Sequence, residues 1–269
     1  MRHSVNRRAP EAQYARTISS GYQSKVVSRS SCLRPTLQSR RSAPLHNKSV
    51  VDHGVPDDIV RHLSASLAGF EIIIVPGLDG SARHHWQSNW QKFFRAGGIS
   101  VGRVRQEIWS KPDYESWIAT LTATVKKSKK PVLLVGHSLG SLLIAHAAKE
   151  GLLPDTVAGA LLVAPADVEN GPEGERFRVA AFSPVPLSPL PFPSLVVGSR
   201  NDPWLSVARA RTFARHWGAF FVDAGRKGHI GNQCDLGYWQ DGLLFLDRLV
   251  QSIRIEKTGL RRPHKKLLQ

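Results

Sequence analysis

Residues 131–148 read PVLLVGHSLGSLLIAHAA. Four apolar residues lead into a serine held between two glycines, and apolar residues at helical spacing follow. A short apolar run bounded by turn signals fits a strand buried on both faces, as in a parallel sheet. Passing from such a strand into a helix within a few residues needs a sharp turn, and Gly136 and Gly140 supply the small residues for it. A serine there projects from the carboxyl end of the sheet, beside free N–H groups at the start of a helix. Ser138 is therefore the candidate nucleophile. The alternative is a turn serine with no chemical role, so the rest of the chain has to supply its partners.

Working outward, strand and helix patterns alternate. "FEIIIVPG" from residue 70 is a buried strand ended by Pro-Gly. "HHWQSNWQKFFRAGG" follows with Trp86, Trp90, Phe93 and Phe94 at helical spacing. "VGRVRQEIW" reads as a weaker strand near a sheet edge, and "PDYESWIATLTATVKKSKK" as a helix with lysines in its last turn, where they complement the dipole. After the central unit come a strand in "VAGALLVAPA", a strand in "FPSLVVGS", a helix in "PWLSVARARTFARHWG" with proline near its first turn, a strand in "AFFVDAG" and a closing helix in "YWQDGLLFLDRLVQSI". Such alternation predicts one mostly parallel sheet of about six strands with helices on both faces. The domain is expected over residues 69–255, long enough to bury a substantial core without metals or disulfides.

The chain has 269 residues and a formal charge of +16, concentrated at its ends. Residues 1–50 hold 10 Lys or Arg against Glu11, a net +9, and residues 251–269 hold 6 against Glu256, a net +5. The middle is nearly neutral, which argues against specific nucleic-acid recognition by a basic face of the fold. Residues 1–68 are expected to be a basic, Arg/Ser-rich disordered extension and 256–269 a basic tail. The first fifty residues also overlap transit peptides in composition. A cytoplasmic protein is expected, or a mitochondrial one if that segment is a targeting signal; sequence upstream of a misjudged start is a third reading. No segment has the roughly 20 apolar residues of a membrane span. Cys32 and Cys234 make neither a disulfide framework nor a metal motif.

A serine hydroxyl needs a base. Of the eleven histidines, His229 in "GRKGHIGNQCD" follows the sixth strand and lies between Gly228 and Gly231, which lets a loop present its ring. The acid is expected after the strand that follows the nucleophile unit, and "VVGSRNDPW" places Asp202 there. Asp202 also suits the N-cap of the next helix, and Asp167 and Asp223 are its rivals. The order Ser, Asp, His is that of hydrolases with a nucleophile elbow. Backbone N–H groups of Leu139 and Leu78, the latter in "VPGLDG", are the expected oxyanion donors. His137, Asp79, Trp86 and Trp204 are expected to line the substrate site, with Ser81 near its entrance.

With these residues assembled, the chain resembles the YdeN-like group of small α/β-hydrolases, which includes retinoblastoma-binding protein 9. The stretches that carry the likeness are "IVPGLDGSARHHWQSNW", "LLVGHSLGSLLIAHAA", "VVGSRNDPW" and "GRKGHIGNQCDLGYWQDG". The resemblance implies a Ser–Asp–His triad at Ser138, Asp202 and His229, and a serine hydrolase that cleaves simple esters. One departure stands out: Gly231 precedes Asn232 where many relatives have Asn directly after the "GHI" segment. No long helical lid fits between Ala164 and residue 193, and only "FSPVPLSPLPFP" is available to cover the cleft, so a shallow site for small-molecule esters is expected. Neither metal nor organic cofactor is implied. Acyl transfer, or a catalytically silent scaffold that binds another protein, are the alternatives.

Overall fold

The structure, a computed structural model, describes residues 55–257. Six parallel strands form one sheet in the order β2-β1-β3-β4-β5-β6. They span Glu71–Val75 (β1), Ser100–Arg103 (β2), Val132–His137 (β3), Val157–Val163 (β4), Ser194–Gly198 (β5) and Phe220–Asp223 (β6). The weak pattern of β2 is explained by its place at the edge, where every residue is only partly buried. β3 lies near the centre and is buried along its whole length.

Helices α1 (Asp57–Ser66), α2 (Trp86–Ala96) and α7 (Gln240–Lys257) cover one face, and α3 (Tyr114–Lys126), α4 (Leu139–Lys149) and α6 (Val207–Trp217) the other. The residues facing each way alternate along the strands. Ile73, Val75, Leu134 and Leu162 pack under α3, α4 and α6, whereas Ile72, Ile74, Leu133 and Val135 pack under α1, α2 and α7. A four-residue helix, α5 (Glu173–Arg176), runs into a 3₁₀ turn at Phe177–Phe182.

Two boundaries differ from the sequence reading. Helix α1 falls inside the segment expected to be disordered. Leu63 and Leu67 are buried on the face shared with α2 and α7, and α7 is tied to α1 by Arg254 Nη2–H to Ser66 O at 2.7 Å and by His62 with Asp247 at 3.0 Å. Residues 57–67 thus belong to the folded domain, whereas residues 1–54 and 258–269 lie outside the described residues. Helix α6 begins at Val207, not at Pro203, because Ser206 is its N-cap, accepting from Arg209 N–H.

The strand order reverses direction between β1 and β3. Chain leaving β1 crosses to β2 on one side, and chain leaving β3 crosses to β4 on the other. Such a switch opens a crevice at the carboxyl ends of the two strands, where ligands of open α/β sheets bind.

Candidate active site

At that crevice β3 turns into α4 through Ser138, whose φ of 52° and ψ of −125° lie where L-residues are rarely found. Strain of this kind costs on the order of 1–3 kcal/mol and persists only where the surroundings enforce it. The two glycines show what enforces it here. A Cβ on Gly140 would lie 2.2 Å from Val75 O and 2.6 Å from Pro76 O, and one on Gly136 would lie 2.8 Å from Ser141 Cα. Helix α4 therefore starts in backbone contact with the end of β1, which forces the tight turn.

His229 Nε2 lies 2.7 Å from Ser138 Oγ, and its Nδ1 lies 2.8 Å from Asp202 Oδ1. A carboxylate only accepts, so Nδ1 carries the proton in the neutral ring and Nε2 is left to accept from the serine hydroxyl. The Asp202 side chain has no exposed surface, and that of His229 is 19% exposed. Asp202 Oδ1 also accepts from Trp204 N–H at 2.8 Å. Its turn therefore faces Trp204 rather than capping α6. Among the described residues Asp202 Oδ2 is buried without a hydrogen-bond partner.

The loops carrying Asp202 and His229 hold each other. Asn201 Oδ1 accepts from Gly228 N–H, and Ser199 Oγ accepts from Lys227 N–H, both at 2.9 Å. These two positions were missed in the sequence, although "SRND" runs straight into the acid. Asn232, at the departure from the family pattern, accepts from Ala82 N–H at 3.1 Å through Oδ1, tying the base loop to the loop after β1.

The rival acids are engaged elsewhere. Asp223 pairs with Arg200 at 2.8 Å. Asp167 is buried; burial opposes its ionisation, but hydrogen bonds from Arg209 and Asn170 outweigh that and hold its carboxyl below the usual range.

Gly77 brings the turn after β1 against the serine: a Cβ there would sit 2.9 Å from Ser138 Cβ and 3.0 Å from Leu139 N. Leu139 opens α4, so its N–H has no acceptor one turn back. In the facing turn, Asp79 N–H donates to Trp109 O and Gly80 N–H to Gly77 O. Among the described residues neither the Leu78 nor the Leu139 N–H has a backbone acceptor.

The expected lining residues separate. Trp204 is half-buried with its ring centroid 6.0 Å from that of His229. Asp79 is exposed at the rim and pairs with Arg178 at 2.6 Å. Trp86 does not line the site: it is 1% exposed, donates from Nε1 to Ile230 O at 2.8 Å and packs edge-on against Trp90 and Trp239. Its helical stripe faces the core. His137 is also buried, with Nε2 2.9 Å from His229 O, so its ring is taken up in holding that loop rather than exposed to line the site. Ser81 turns inward and donates to Gln87 Oε1 at 2.6 Å. Burial, then the charges of His85 and His229, push the His137 pKa well below its usual value. Burial, then Arg103 and His229, lower that of His85 to about 3.

Among the described residues no group of three or more His, Cys, Asp or Glu side chains is placed to hold a metal ion, and no helix is long and apolar enough to cross a membrane.

The model of the family described as serine hydrolase matches residues 72–248. A protein described as a YdeN-like hydrolase, from Pectobacterium atrosepticum, is 33% identical with a TM-score of 0.63, covering 73% of this chain and 98% of that one. The ydeN gene product of B. subtilis is 17% identical (TM-score 0.53, covering 68% and 98%). Est1E from Butyrivibrio proteoclasticus, solved with ferulic acid bound, is 16% identical (TM-score 0.51, covering 72% and 91%). At these identities the last two share the fold. No curated protein matches the chain in sequence.

Proposed function

Because the chain belongs to the serine hydrolase family, in its YdeN-like group, we propose that it cleaves small carboxylic esters through an acyl intermediate on Ser138. The observation that carries this reading is the unbroken hydrogen-bonded chain from Ser138 Oγ through the His229 ring to Asp202. Ser138 Oγ attacks the ester carbonyl as His229 Nε2 takes its proton. Asp202 holds the ring and stabilises the imidazolium. The Leu78 and Leu139 N–H groups receive the developing oxyanion, a role worth roughly 2.7–4 kcal/mol per donor. Collapse breaks the C–O bond, and the imidazolium returns the proton to the departing alcohol. Water, deprotonated by the same Nε2, then attacks the acyl carbon, and the carboxylic acid leaves as the serine regains its proton.

Substrate size is argued from what stands over the crevice. Between β4 and β5 the helical structure is limited to α5 and the following 3₁₀ turn, held at the rim by Arg178 to Asp79 and to Ser110 O. Short acyl groups suit so shallow a cover, with Trp204 as an apolar wall beside the base.

A fluorophosphonate probe with p-nitrophenyl acetate turnover tests the proposal. Labelling and hydrolysis, both lost in Ser138→Ala, support it. A folded wild-type protein that neither labels nor turns over overturns it and favours a silent scaffold.

A further inference from the structure

Gln87 is a polar residue with no exposed surface, on a helix whose buried face is otherwise largely aromatic. Its side chain is spent on backbone and loop. Nε2 donates to Val135 O at 3.0 Å and lies 3.4 Å from Val75 O. Oε1 accepts from Ser81 Oγ at 2.6 Å. Ser81 is gripped from its other end, since Arg103 Nη2–H points to its carbonyl at 3.4 Å while Nη1–H reaches Ser88 Oγ and Gln91 Oε1 at 3.1 and 3.2 Å.

The placement of those acceptors gives the amide its meaning. Val75 is the last residue of β1, immediately before the Pro76-Gly77-Leu78 turn, and Val135 lies three residues before Ser138. One side chain therefore bridges the ends of two neighbouring strands where they part to open the crevice. Packing alone does not call for it. A leucine would fill similar volume, and burying an amide is favourable only when its hydrogen bonds are made.

We propose that Gln87 is a positioning residue that sets the separation of the Leu78 N–H from Ser138 Oγ. The inference rests on the reading of Ser138 as nucleophile with Leu78 as an oxyanion donor. The two turns it governs are already in contact, because a Cβ on Gly77 would meet His137 O at 2.8 Å and Leu139 N at 3.0 Å. A shift of a few tenths of an ångström between strand ends thus changes how well both donors meet the oxyanion. That fit matters when negative charge develops and little when substrate first binds.

The test compares the full chain with Gln87→Leu and Ser81→Ala, using p-nitrophenyl acetate as substrate and phenylboronic acid as a tetrahedral adduct former. Gln87→Leu is expected to lower kcat about ten- to hundredfold with KM within about threefold of wild type. Phenylboronic acid binding should weaken by a factor comparable to the fall in kcat, and the midpoint of the pH–rate profile should stay in place. Ser81→Ala keeps both strand contacts and is expected to lower kcat about three- to tenfold with the same unchanged KM; it carries the test if Gln87→Leu fails to fold. Unchanged kcat in the folded variant, or a loss borne by KM with boronate affinity intact, overturns the role of Gln87 alone. A wild-type protein that neither hydrolyses the ester nor binds the boronate overturns the nucleophile reading, and this inference with it.

Discussion

The carbonyl of His229 lies 2.9 Å from Nε2 of His137, the residue directly before Ser138. A carbonyl only accepts, so His137 carries its proton on Nε2 and donates. The loop bearing His229 is thereby pinned to the strand that leads into Ser138, across 92 positions of sequence. His137→Ala is expected to leave the main sheet intact and lower kcat about tenfold or more, because the imidazole at 229 then samples positions off the serine. His137→Gln, which can still donate, should recover part of that loss in the same steady-state assay.

The buried neutral histidines make stability fall in acid. The folded pKa of His85, about 3, lies below the unfolded value of 6.5. Between those values the unfolded chain binds a proton that the folded chain refuses. Stability is therefore complete above about pH 6.5 and declines as pH drops below it. At pH 5 the loss from His85 alone is about 2 kcal/mol, and His137 adds to it in the same direction. Thermal melts at pH 7.5 and pH 5 should show a lower Tm in acid. His85→Asn, which keeps an N-cap acceptor for α2, should flatten that dependence; an unchanged slope would count against it.

The two best acid candidates predict opposite phenotypes. Asp202→Asn should cut kcat by roughly 10³–10⁴ with little change in Tm, since it upsets the tautomer and charge at His229. Asp167→Ala leaves Arg209 without its buried partner and Asn170 without its acceptor. It should cost about 2–3 kcal/mol of stability, below a fully buried pair because Arg209 is partly exposed, while kcat of the folded fraction holds. Denaturant curves beside kinetics separate the two.

Gly140→Ala should be among the most disruptive single-methyl changes, because its Cβ would overlap backbone oxygens that cannot swing aside. A stability loss of about 2 kcal/mol or more is expected, with activity lost too. Gly174→Ala in α5 meets nothing within 4 Å and should be neutral or slightly stabilising.

Truncation distinguishes the two domain boundaries. A chain beginning at residue 55 retains α1 and is expected to match the full chain within a few fold in the proposed ester hydrolysis. One beginning at residue 69 exposes the surface that Leu63 and Leu67 cover, each worth about 1.5–3 kcal/mol when fully buried, and should melt at a markedly lower temperature.

What was legible in the sequence was local or periodic. Strand β3, its turn and α4 could be read from residues 131–148 because the glycines, the apolar run and the helical spacing lie side by side. Asp202 and His229 could be nominated because each follows a recognisable strand. Trp86 was misjudged because spacing shows that a helix has a stripe, not which wall the stripe meets. His137 was named for the wrong role, as a lining residue, and Gln87 was not named at all, for a different reason. The groups their ring and amide nitrogens reach are backbone carbonyls, which every residue possesses, so no pattern of side chains marks them. Helix α1 escaped because its buried leucines are few and sit beside a basic segment whose composition dominates the reading.

The segment between β4 and β5 also bears on which molecule would receive the acyl group of the proposed intermediate. Between β4 and β5 the helical structure is limited to α5 and one 3₁₀ turn, which on the proposed reading leaves little to screen an intermediate from bulk solvent or to seat a competing alcohol. Water then meets the acylated serine far more often than any dilute acceptor does. If Ser138 is acylated as proposed, so short a rim is expected to favour hydrolysis over transacylation, and the share of methyl ester formed in added methanol would measure it.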